Sequence, residues 1–289
     1  MPRLIVNADD FGLTAGVNRA IAELHAAGLV TSTSLMARAG ATDAAVEFAR
    51  ATPSLSVGCH VLLVDGEPVL PAAEIPTLAN RKTGRLHDSL RALLPRLFAG
   101  RIGAAEIEAE ARAQIESLQN RGLRLTHIDT HKHTHMFPAV LRPVLRAARA
   151  CGIRAMRNPF EPAWAVRATA GASLARIAEV TVLRRLEASS RKIIAEEGFA
   201  TTDGTIAVAG TGVLNAATLG SLLQQLPPGT WELVTHPGYN DADLDRVRTR
   251  LRASREIERG ALHTIKEFPE IDLVSFADLR APESPQPHL

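Results

Sequence analysis

The stretch Thr126-His127-Ile128-Asp129-Thr130-His131-Lys132-His133-Thr134-His135 holds four of the ten histidines and one aspartate within nine residues. They stand at every second position. In an extended strand alternate side chains share a face, so His127, Asp129, His131, His133 and His135 would project together for as long as the strand lasts. A buried imidazole needs partners for its ring nitrogens, and a divalent metal is the commonest partner that rewards crowding. Alternate positions lie about 6.5–7 Å apart, whereas metal–nitrogen bonds are about 2.0–2.1 Å. One histidine of the run, occasionally two, could therefore reach a shared ion. The others would hold ligands in place or contact substrate. A surface chelating run is the alternative, but it suits a polar tail rather than a segment with Leu125, Ile128 and Phe137-Pro138.

Outward from this strand the chain alternates. Leu4–Ala8, Val30–Ala37, Leu55–Leu63, Leu125–His131, Ile153–Met156, Trp231–Thr235 and Leu273–Phe276 read as strands. Gly16–Ala27, Ala41–Arg50, Ala104–Asn120, Ala139–Ala150, Ala172–Ala195, Leu214–Leu226 and a long charged stretch, Ala242–Thr264, read as helices, with a possible further helix near Ser89–Phe98. Asp65–Arg85 is a long connection, functional or mobile. Such alternation predicts a parallel sheet. Polar residues collect at strand C-terminal ends: Asp9-Asp10, His60, His131 and His236. That is where sites form in barrels and open α/β sheets. Six or seven strands, without a G-x-G-x-x-G or a phosphate-binding loop, fit a distorted (β/α) barrel better than a two-domain Rossmann arrangement. The expected organisation is one catalytic domain over residues 1–280 and a proline-bearing, loose tail over 281–289.

With 289 residues, 46% hydrophobic and 4% aromatic, the core should be aliphatic. A formal net charge of +2 gives no case for nucleic-acid binding. Cys59 and Cys151 form no disulfide framework, so a reducing cytoplasm is the default. The N-terminus lacks a signal-peptide pattern and no apolar run spans a bilayer.

Asp9-Asp10 at a strand end reads either as a metal ligand beside a general base or as a helix N-cap. His60 taken alone is an ordinary structural histidine. His236, before a Pro-Gly turn, is a good seat for a general acid. His25, His87, His263 and His288 carry no assigned role.

Val6-Asn7-Ala8-Asp9-Asp10-Phe11-Gly12, Val57-Gly58-Cys59-His60, the histidine run through Pro138, and Thr235-His236-Pro237-Gly238 together resemble the YdjC-like carbohydrate deacetylases. Val61 to Pro71 further resembles the hopanoid-associated HpnK branch. The resemblance implies a β/α barrel related to polysaccharide deacetylases. It implies Asp10, His60 and His131 as metal ligands, Asp9 as general base and His236 as general acid. His127, Asp129, His133 and His135 remain for supporting or substrate contacts. The cofactor would be one divalent ion, Zn²⁺ or Mg²⁺, with Co²⁺, Ni²⁺ or Fe²⁺ open. The substrate would be an N-acetylglucosamine-type sugar, on a hopanoid glycolipid or a soluble oligosaccharide. A non-catalytic sugar- or lipid-binding protein is the rival.

Arg154–Lys192 carries eight basic and three acidic residues. It reads either as barrel helices with a solvated basic face or as a surface that approaches anionic lipid at the inner membrane.

Overall fold

The computed structural model describes residues 1–280; the tail expected over 281–289 lies outside them. Seven parallel strands form the sheet: β1 (Pro2–Phe11), β2 (Ser32–Leu35), β3 (Ser56–Val61), β4 (Ile128–Thr130), β5 (Gly204–Ile206), β6 (Gly229–Thr235) and β7 (Asp272–Val274). Their order is β4-β3-β2-β1-β6-β5, with β7 paired to the first residues of β1. Single parallel bridges, Ile128 to Met156 and Ala155 to Ala200, link the two ends of that path. The result is the expected distorted barrel, closed on one side by isolated bridges. The stretch Ile153–Met156 supplies those bridges rather than a full strand.

Eleven helices among the described residues surround the sheet: α1 (Ala15–Ala26), α2 (Thr42–Ala51), α3 (Leu90–Phe98), α4 (Ala104–Gln119), α5 (Pro138–Ala150), α6 (Ala163–Ala168), α7 (Leu174–Leu183), α8 (Glu187–Glu196), α9 (Ala216–Gln224), α10 (Ala242–Asp245) and α11 (Ala253–Ala261). Two expected helices are divided. Ala172–Ala195 becomes α7 and α8 joined by a 3₁₀ turn, and Ala242–Thr264 becomes α10, a non-helical stretch and α11. β5 has no counterpart among the expected strands, because Gly204-Thr205-Ile206 offers a single aliphatic residue to read.

The strand pleat separates two interiors. On β1, Leu4, Val6 and Ala8 join the large aliphatic core shared with the helices, as do Val57, Cys59 and Val61 of β3. The alternate residues face into the barrel. Its lower part is a small apolar plug of Ile5, Ala155, Ala200 and Phe276. Above the plug the inward residues are polar, and they bond to one another. Asn7 donates to Asp9 and Ser34, Ser34 donates to Asp129, and Thr205 donates to Glu232. The aliphatic core thus lies outside the sheet, while the barrel's upper interior is a buried hydrogen-bond network.

The long connection after β3 is held by one face of α4. Gln114 bonds both backbone groups of Leu62, Glu110 accepts from the amides of Val69 and Leu70, and Glu106 accepts from those of Thr77 and Leu78. Spacing of four places these side chains on one stripe. The segment is therefore anchored along most of its length.

Candidate metal centre

Both aspartates of β1 reach the barrel mouth because the strand is irregular there. The register against β2 shifts between Ala8 and Phe11, and Asp10 adopts a left-handed backbone with φ of 65°. A bulge of this kind redirects a side chain, so two adjacent carboxylates turn toward one site. Neither caps α1; that role belongs to Thr14, whose hydroxyl accepts from the Val17 amide.

The histidine run is not one strand. Extended structure ends at Thr130, and His131–Met136 is a 3₁₀ turn with left-handed backbone at Lys132 and His133. The two-residue alternation therefore holds only for His127 and Asp129. His131 leaves the strand at its C-terminal end and turns over the mouth. Asp65 pairs with Lys132 at 2.5 Å, tying this turn to the connection after β3.

Asp10, His60 and His131 meet. His60 Nε2 lies 3.6 Å from Asp10 Oδ1, His131 Nδ1 lies 3.4 Å from the same oxygen, and the two nitrogens are 3.2 Å apart. Donor atoms about 2.1 Å from a common tetrahedral ion would be about 3.4 Å apart. Asp10 Oδ1 is buried and has no hydrogen-bond partner, which leaves a lone-pair face for a cation. Two imidazoles and one carboxylate are a donor set that suits a divalent metal. Burial opposes charge on Asp10, but Arg255 and the nearby histidines outweigh it and hold the carboxyl well below its usual range.

Each ligand candidate has a backing partner. The His60 Nδ1 hydrogen is directed at Asp129 Oδ1, 2.7 Å away, which leaves Nε2 as the free donor atom. Burial works against a charged His60 ring, yet Asp129, Asp9 and Asp10 raise its pKa to about 9. The same carboxylates favour any cation at that point. Asp129 also receives Ser34 Oγ at 2.7 Å.

Asp9 sits deeper, with both oxygens gripped by Arg157 at 2.6 and 2.8 Å. Arg157 was not singled out from the sequence as a site residue. It is fully buried, donates to both oxygens of Asp9 and through Nε to Glu232, and stands 2.7 Å from an oxygen of Asp129. Burial pushes the Glu232 carboxyl up to about 7, against the pull of Arg157. A charged residue inside the apolar strand Trp231–Thr235 was the one sequence signal for this cluster.

His236 faces Asp9 Oδ2 at 4.0 Å through Nε2 and Glu258 at 3.7 Å through Nδ1. Burial opposes its charge, but Glu258, Asp9 and Asp10 raise its pKa.

The remaining histidines of the run divide. His127 is buried under the site, stacked on Phe276 at 3.9 Å and bonded to Thr126, with its pKa lowered by burial to about 3. A Cβ on Gly58 would fall 2.5 Å from that ring, so Gly58 makes room for it. His127 therefore packs below the mouth. His135 is buried and bonds Thr130 Oγ1 at 2.7 Å. Thr130 Oγ1 already accepts from Thr134 Oγ1 and the His135 amide, so its own hydrogen goes to His135 Nδ1, and Nε2 carries the ring proton. His133 has a buried Nδ1 without a partner.

Several known proteins resemble this chain in fold or in sequence. A solved Enterococcus faecalis protein named for cellobiose-phosphate cleavage is 26% identical, with a TM-score of 0.72 over 95% of this chain and 97% of that one. A Thermus thermophilus lactam utilization protein, 14% identical with a TM-score of 0.53, shares the fold. A Brevibacillus brevis carbohydrate deacetylase is 42% identical over 149 residues, which are 50% of this chain and 55% of that protein. The chain thus spans little more than half the length of that relative. A mouse carbohydrate deacetylase is 33% identical over 82% of this chain and 78% of its own. Residues 3–268 match the family described as YdjC-like protein, and the chain belongs to that family.

Proposed function

We propose that this protein is a metal-dependent carbohydrate deacetylase that hydrolyses the N-acetyl group of an N-acetylglucosamine-type sugar, with residues 1–280 as one catalytic domain. The observation that carries the reading is the Asp10, His60 and His131 triad, three donor atoms within 3.6 Å of one another around an unpartnered carboxylate oxygen. Relatives named carbohydrate deacetylases support the reaction class.

A divalent ion held by these three residues would supply Lewis-acid polarisation of the acetyl carbonyl and a more acidic water. The chain's own residues divide the remaining work. Asp9 Oδ1 accepts hydrogen bonds from Arg157 and Asn7, whereas Oδ2 accepts one from Arg157 alone. The open lone pair of Oδ2 is the place for Asp9 to receive the proton of the attacking water. Arg157 keeps that carboxylate oriented. His236, whose raised pKa favours the protonated ring, donates to the departing sugar amine. His133, only half-buried, is left to meet substrate polar groups at the mouth, while Asp129 orients His60.

The finer substrate is a hopanoid-linked N-acetylglucosaminyl lipid, on the resemblance of Val61–Pro71 to the HpnK branch. No described helix is long and apolar enough to cross a membrane, so reaching such a lipid would require peripheral contact. The test is acetate release from matched N-acetylated glycolipids and soluble oligosaccharides, by metal-stripped protein and by protein reloaded with Zn²⁺, Mg²⁺, Co²⁺, Ni²⁺ or Fe²⁺. Release only after reloading supports the reading. Equal release from stripped protein overturns the metal dependence, and preference for soluble oligosaccharides overturns the lipid. His131→Ala should lose bound metal and acetate release together; a variant that keeps full metal removes His131 from the ligand set.

A further inference from the structure

The break in the expected Ala242–Thr264 helix has a consequence at the mouth. It frees α11 to turn two buried charged residues inward, Arg255 and Glu258, each 1% exposed. Three positions apart, they share a helix face. Arg255 Nη2 donates to Asp10 Oδ2 at 2.5 Å, and its Nε donates to the Leu251 carbonyl. Glu258 Oε2 accepts the His236 amide at 2.7 Å and stands 3.7 Å from the ring Nδ1. Its other oxygen accepts from the Gly212 amide, in the loop after β5. The turn that carries His236 rests on the same helix: Gly238 N–H donates to the Arg255 carbonyl, and a Cβ on Gly238 would lie 3.0 Å from Arg255 Cδ.

Burying a guanidinium is costly unless its donors are matched. Here Arg255 Nη1 is buried with no partner. An apolar side chain would fill this helix position with less penalty, so the residue is better accounted for by what it does to Asp10. By occupying Oδ2 it leaves Oδ1 alone to face His60 and His131.

We propose that α11 aligns the centre from behind: Arg255 restricts Asp10 to one outward oxygen, and Glu258 sets the His236 ring and its turn. Both are positioning residues. The inference rests on the metal-site reading of Asp10, His60 and His131, and it can fail separately from it.

The two possible actions of Arg255 have opposite signs. Removing a cation beside a ligand would by itself tighten metal binding. Losing a fixed ligand orientation weakens it, typically by about 10–100-fold. The experiment is zinc affinity by chelator competition on full-length Arg255→Met and Arg255→Lys, with folding checked by circular dichroism. Arg255→Met should bind Zn²⁺ at least about 10-fold more weakly. Arg255→Lys should fall between it and the parent, because lysine keeps the charge without the planar fork. Unchanged or tighter binding by folded Arg255→Met overturns the proposal. If that variant does not fold, Arg255→Lys decides, and parental affinity overturns it. Asp10→Asn separates the two readings: if it keeps parental zinc affinity the metal site itself is wrong, and if it alone loses zinc only the role of Arg255 is. Glu258→Gln should keep zinc affinity and lower kcat about 10-fold at little change in KM. Loss of zinc affinity equal to that of the Arg255 variants would overturn a separate role for Glu258.

Discussion

Two parts of the segment Arg154–Lys192 treat charge in opposite ways. At one end, Arg157 and Glu161 are buried beneath the barrel mouth, 0% and 1% exposed. Arg157 is compensated by three carboxylates, Asp9, Asp129 and Glu232. At the other end, α7 and α8 carry their arginines on the surface. Arg176 pairs with Glu179 and Arg191 with Glu187 at ordinary i,i+3 and i,i+4 spacing, beside Leu174 and Val182, which are 85% and 56% exposed. A buried ion must be compensated almost completely or it unfolds its surroundings. A solvated pair contributes about 0–1 kcal/mol. Counting charges along the sequence merges these two situations, and the basic surface expected over the whole segment loses Arg157, its most buried member, to the site.

The sharpest way to break this contrast is at Arg157. Arg157→Met leaves Asp9, Asp129 and Glu232 facing one another without their shared cation and should cost about 3–5 kcal/mol, read as a shifted denaturant midpoint. A loss below about 1 kcal/mol, the range of a surface pair, would erase the distinction between the two regions. Asp9→Asn probes the same cluster through its chemistry. Zinc should stay bound, since Asp10 is untouched, while turnover falls about 10²–10⁴-fold; activity within a few-fold of the parent would exclude Asp9 as the proton acceptor.

Glu161 tests the buried end by pH. Burial raises its carboxyl to about 7, against the pull of the backbone N–H groups of Ala209, Ala207 and Val208 and of Arg176. A folded pKa above the unfolded value means the native state holds the proton more tightly. Its stability contribution is therefore complete below about pH 4.5 and is lost as pH rises through about 7. Glu161→Gln should remove that decline, flattening the midpoint between pH 4.5 and 7 by on the order of 1–3 kcal/mol. An identical slope in parent and variant would show that Glu161 is ionised in the fold throughout.

The smallest effect belongs to the surface end. Charge reversal at Arg184 and Arg185 should change stability by less than about 0.5 kcal/mol and leave hydrolysis of a short soluble substrate intact. Should these helices meet anionic lipid, the parent will sediment with anionic vesicles at low salt, release as salt rises, and lose that binding on reversal. Absence of sedimentation in the parent leaves α7 and α8 as solvated barrel helices.

Short apolar runs and helical periodicity placed most strands and helices: Leu4–Ala8 and Trp231–Thr235 are largely apolar, as buried parallel strands are, and β3 alternates. The C-terminal ends of β1, β3, β4 and β6 marked Asp9, Asp10, His60, His131 and His236 as neighbours, since a parallel sheet brings all such ends to one rim. Those facts are local and repeat along the chain, so they can be read from it. Three others are not local. The bulge at Asp10 depends on how β1 registers against β2. The end of the histidine strand at Thr130 depends on a left-handed turn over the mouth, and spacing by twos could not reveal it. Arg157 and Arg255 lie 148 and 245 residues from the aspartates they hold. One lies in a stretch that reads as surface charge and the other within an expected long charged helix. A guanidinium's role is set by which carboxylates surround it once water is gone, and only the closed barrel determines that.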